Sequence, residues 1–128
     1  MSSGTGLETS KPQAATRIAV PKRVKRLLRE HAAAAHDEEL RRALQPLFEA
    51  FKKWSQGTVS SGVLCELIHE FHQGSARDLY VRYNPRMHTS AVARAIATGV
   101  LDRTSVPEEL LRHLSHTIEY YETEDADG

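Results

Sequence analysis

Cysteine occurs once, at Cys65, so no disulfide can close within the chain, and a reducing cytoplasm is the expected setting. No apolar run reaches the roughly 20 residues that span a bilayer. The opening stretch MSSGTGLETSKPQ lacks the apolar region of a secretory signal, and no membrane association is expected. An excess of one charge is missing too. The 17 basic side chains balance 17 acidic ones, so net charge alone does not direct the chain to a polyanion or a lipid surface. Catalytic signatures are equally scarce. GxSxG, the P-loop, GxGxxG, the EF-hand loop and HExxH do not occur, which removes the usual nucleophile elbow, phosphate cradle and zinc-protease helix. No internal repeat is present and no cofactor is expected.

What remains is helical periodicity. A chain of 128 residues makes one domain at most. Residues 1–16 are rich in Ser, Thr and Gly and have little to bury, which predicts a disordered tail. The pattern predicts a single helical domain over 17–122 and a frayed acidic tail over 123–128. Leu64, Leu67, Ile68 and Phe71 recur at i, i+3, i+4 and i+7, one stripe of an α-helix. Ser60 or Ser61 suits its N-cap and Gly74 its C-terminus. Ser75 and Asp78 have capping-box spacing, so a second, shorter helix is expected from Ser75 to Asn84-Pro85, with the two helices meeting at Gln73-Gly74.

Upstream, Val24, Leu27, Leu28 and His31 form one stripe behind Pro21, while Leu40, Ala43, Leu44, Leu47, Phe48, Phe51 and Trp54 form another. Extended at about 100° per residue, the two stripes fall roughly half a turn apart. This predicts a break near His36-Asp37 with Asp37 as N-cap; the alternative is one long helix whose two halves pack on different partners. Pro46 predicts a kink rather than a stop. A short helix over 90–101 and a last one opened by Ser105-Val-Pro-Glu108 complete the expectation. The fold class is all-α, a compact bundle of about five to six helices.

Three groups of residues invite functional readings. Arg77, Asp78, Tyr80, Arg82 and Tyr83 form the densest polar-aromatic cluster. They follow Gly74-Ser75 at an expected helix N-terminus, whose free N–H groups attract anions, so the cluster is a candidate anion- or partner-binding surface. The plainer reading is a solvated helix with packed tyrosines. Lys22, Arg23, Lys25, Arg26 and Arg29 spread over one side of the first helix, a basic face suited to phosphate backbones or an acidic groove. It also suits simple solvation opposite the acidic end of the chain. Cys65, His69 and His72 share a helix flank, and thiolate and imidazole are zinc ligands, although a fourth ligand is missing.

The leading expectation is a small cytoplasmic helical module, regulatory or interaction-forming and without catalytic activity, that binds a protein partner or itself. The alternative is nucleic-acid binding through the basic helix over 17–29. The third is a metal-dependent or small-molecule-binding enzyme.

Overall fold

A computed structural model of the chain describes residues 19–127. The tail expected over 1–16 lies outside them. Four helices account for most of the described residues: α1 (Lys22–Ser55), α2 (61–82), α3 (His88–Ala97) and α4 (Glu108–Asp127). The described residues are all-α, as the periodicity predicts, but with fewer helices than five or six. Two expected breaks do not exist.

The first is at His36-Asp37. α1 runs unbroken for 34 residues and passes through Pro46. Its two stripes are real, but they answer to different neighbours, which is the alternative weighed above. Val24, Leu27, Leu28, Ala32 and Ala35 pack into one core cluster with residues of α3 and α4. Beyond Ala43 no residue of α1 belongs to that cluster, and the second half pairs with α2. His36 marks the changeover, stacked on Tyr83 with ring centroids 5.0 Å apart. α1 ends where Gly57 takes φ +82°. The Thr58 N–H donates to the Lys53 carbonyl and the Gly57 N–H to that of Trp54, both at 3.0 Å, so free C-terminal carbonyls are satisfied as in a Schellman turn.

The second absent break is at Gln73-Gly74. Ser60 caps α2, accepting from the Val63 N–H at 3.1 Å. The α-helical stretch Ser61–Phe71 then passes through one π-helical turn, His72–Ala76, into Arg77–Arg82. A π turn accommodates one extra residue and so sets the phase back by about 100°. Without it, Leu79 and Tyr83 would drift off the stripe begun by Leu64 and Phe71. With it, Leu79 and Tyr83 reach the core, 7% and 6% exposed. Ser75 is therefore interior to a helix, with no capping role.

The Asn84 side chain accepts from the Arg86 N–H and opens a 3-10 turn into α3. α3 contributes Ala91, Val92, Ala93, Ala95 and Ile96 to the core; its alanines admit close packing on α1 and α4. Between α3 and α4, Asp102 accepts from the Thr104 N–H and hydroxyl, which holds its carboxyl below the usual carboxylate range. Ser105 does not cap α4, since its hydroxyl donates to the Asp102 carbonyl. The Pro107 carbonyl instead accepts from the Leu110 and Leu111 N–H groups. α4 buries Leu110, Leu114 and Ile118 and continues as helix through 123–127, where the sequence predicts an acidic tail. Arg23 of α1 pairs with Glu109 in the first turn of α4, while Glu122, near the far end of α4, pairs with Arg103.

Candidate functional site

Packing is uneven along the molecule. One end holds the core cluster shared by α1, α3, α4 and the C-terminal end of α2. The other end is a hairpin of only two helices, the second half of α1 and the first half of α2. Ala50 and Leu64 are buried there, outside that cluster. At the tip the Trp54 indole N–H donates to the Ser61 hydroxyl at 2.9 Å.

The stripe of α1 in this region is wider than α2 can cover. Pro46 lines a cleft with Leu67, Glu70 and Ser75, which identifies the side of the hairpin they share. Phe51, Leu44 and Phe48 lie on the other flank of α1, about 80–140° round from Ala43. In an antiparallel pair the matching flank of α2 is that of Cys65, Ile68 and His72, opposite Leu67 and Glu70. These two rows therefore form one face. Leu44 is 43% exposed, Phe48 55%, Phe51 42% and Ile68 38%. The Lys52 ammonium lies 5.2 Å from the centroid of the Phe48 ring, a cation–π contact that a partner can displace.

Two shallow concavities extend this face toward the core. One, of about 420 Å³, sits at the π turn between His72, Gln73, Ala76, Arg77 and Tyr80. The other, of about 320 Å³, follows α1 between Asp37, Leu40, Arg41, Leu44, Gln45 and Phe48. Tyr80 stands out from the first, 70% exposed.

The polar-aromatic cluster read from the sequence is divided by this geometry. Arg77 and Tyr80 belong to the apolar face, and Asp78 is exposed. Arg82 and Tyr83 turn to α1, where both bond to Glu39: the Arg82 guanidinium at 2.8 Å to one carboxylate oxygen, the Tyr83 hydroxyl to the other. Burial, then the bond to Glu39, push the Tyr83 phenol far above its ordinary range. Gly74-Ser75 is no helix N-terminus, because the helix runs through it, so the N–H groups expected to attract an anion there are spent inside the helix.

In the basic group, Arg23 pairs with Glu109 and Arg26 with Glu30; Lys22, Lys25 and Arg29 are exposed. Cys65, His69 and His72 are exposed on α2. Among the described residues no group of three or more His, Cys, Asp and Glu side chains is placed to hold a metal ion, and no helix is long and apolar enough to cross a membrane.

The exposed apolar residues that sequence reasoning did not single out are Leu44, Phe48, Phe51 and Ile68. Periodicity marks them as buried; only the number of neighbouring helices shows that they are not. No family model matches the chain, and no curated protein or solved structure matches it.

Proposed function

We propose that the chain is a helical protein-interaction module whose docking surface is the open face of the α1–α2 hairpin. One observation carries this reading: Leu44, Phe48, Phe51 and Ile68 are all left exposed, and helical phase sets them on one face of the hairpin. Monomeric proteins rarely leave several large apolar side chains contiguous in water, and where they do the patch usually marks a binding surface. Phenylalanine is well suited to such a surface, because it adds large apolar area with few rotors to freeze.

A non-catalytic role fits the placement of the reactive groups. Cys65 and His69 are exposed on α2 and His72 lines the open concavity at the π turn; among the described residues the three are not gathered about a common point where they could act together on a substrate. The exposed thiol of Cys65 suits a reducing compartment, and the cytoplasm remains the proposed location.

Photo-cross-linking in living cells tests the reading. A benzophenone amino acid at Phe48 should give protein adducts. The same probe at Arg112, 69% exposed on α4, should not. Equal labelling from both positions, or none from position 48, would remove the hairpin face as a docking surface.

A further inference from the structure

We infer that the occupant of the open hairpin face is a second copy of this chain, the two hairpins closing into an intermolecular four-helix bundle. The inference rests on the docking surface proposed above and adds the identity of the partner.

Heptad positions show what is missing. With Leu44 and Phe51 at a, the residues at d are Leu40, Leu47 and Trp54. Ala43 and Ala50 fall at g, the side taken by α2, and Phe48 falls at e. A helix in a four-helix bundle buries a and d and has a neighbour on each flank. Here α2 occupies one flank and the other is open, with Phe48 55% exposed on it. The hairpin thus lacks a further pair of helices, and a second hairpin of the same length supplies that pair.

Area agrees. The uncovered parts of Leu44, Phe48, Phe51, Ile68 and Tyr80 amount to roughly 500 Å² of mainly apolar surface. The two helices offer a face about 24 Å long and 20 Å wide. Two such faces bury about 1,000 Å² in total, the low end of specific interfaces and in keeping with a reversible dimer. A face that meets its own copy across a two-fold axis closes at two chains, so the apolar surface is used up without forming a filament.

Sedimentation equilibrium on the full chain tests the inference, from about 1 to about 300 µM, a range that captures micromolar dissociation. The expected result is twice the 14.3 kDa chain mass, little changed by 1 M NaCl because the contact is apolar. The double variant Phe48→Glu/Phe51→Glu should raise the dissociation constant about 100-fold or more. Its far-UV circular dichroism should stay that of the wild type, since both rings are already exposed in the single chain. Should that variant misfold, Ile68→Lys on α2 reads the same face from the other helix. A wild-type chain that stays at one chain mass throughout overturns the inference, and so does a dimer that survives these substitutions. In either case adducts from position 48 at a mass other than the dimer's leave the docking surface standing with a different partner.

Discussion

Tyr83 shares its hydroxyl with Glu39 and its ring with His36, so a single side chain ties the end of α2 to the middle of α1. Its phenol is held protonated by burial and by the bond to Glu39. The folded chain therefore binds this proton more tightly than the unfolded chain does. The associated stability is complete below the ordinary phenol value of about 10 and is lost as pH rises beyond it. Tyr83→Phe keeps the ring and removes the bond to a charged group, which should cost about 1–2 kcal/mol at pH 7. Between about pH 10 and 11.5 the gap between wild type and Tyr83→Phe should narrow, because only the wild type loses this contribution. Urea unfolding of both proteins across that range checks the prediction; a gap independent of pH would mean that the phenol is not held as the structure shows. At this scale the sequence was only half legible. Tyr83 reads as an apolar-stripe residue, and it is one. Its partner Glu39 reads as one of many helix-surface carboxylates, because nothing local shows that Arg82 and Tyr83 come to it from 43 and 44 residues away.

The π turn is the element on which the sequence expectation and the structure differ most, and Gly74 separates them by experiment. A glycine ending a helix adopts positive φ, where alanine is strained. Gly74 has no such φ, and a Cβ built on it meets nothing within 4 Å. Gly74→Ala should therefore stabilise the chain by about 0.5–1 kcal/mol, through helix propensity and a less flexible unfolded state. Gly57→Ala should destabilise it by about 1 kcal/mol or more, because Gly57 has φ +82°. Thermal melts of the two variants should move in opposite directions; parallel shifts would restore the broken helix. A signal for the continuous helix was present in the spacing. Leu64 and Phe71 lie seven apart, but Leu79 follows Phe71 by eight, which in an uninterrupted α-helix sets it about 80° round from Phe71, close to the 100° of one residue. One surplus residue is what a π turn absorbs; beside a glycine, a cap is the more familiar explanation. The two stripes of α1 depart from expectation for a related reason. A change of phase suggests a change of helix, whereas α1 runs on and changes partners, at His36 and Tyr83.

Across the whole molecule the two ends differ in how much holds them. The α1–α3–α4 end buries Val92, Leu110 and Leu114 almost completely, with Val24 and Ile118 close behind. The hairpin end buries Ala50 and Leu64 and leaves Phe48, Phe51 and Trp54 about half exposed. Helices gain most of their stability from a packed face rather than from propensity, so the hairpin should open without unfolding the rest. Hydrogen exchange at low concentration should show amides over 43–55 and 61–71 exchanging at least about tenfold faster than those of α3 and of α4 over 110–118, a difference of ~1.4 kcal/mol or more in opening free energy. Raising the concentration supplies the second hairpin and should slow exchange over 43–55 and 61–71 selectively, with α3 and α4 little changed, because a partner that binds only the closed form stabilises that form by mass action. In Phe48→Glu/Phe51→Glu the hairpin should remain fast at every concentration. If all four helices instead exchange at one rate in the single chain, the hairpin is held by the core as firmly as α3 is. Its open face would then be a rigid platform that needs no partner to keep its shape.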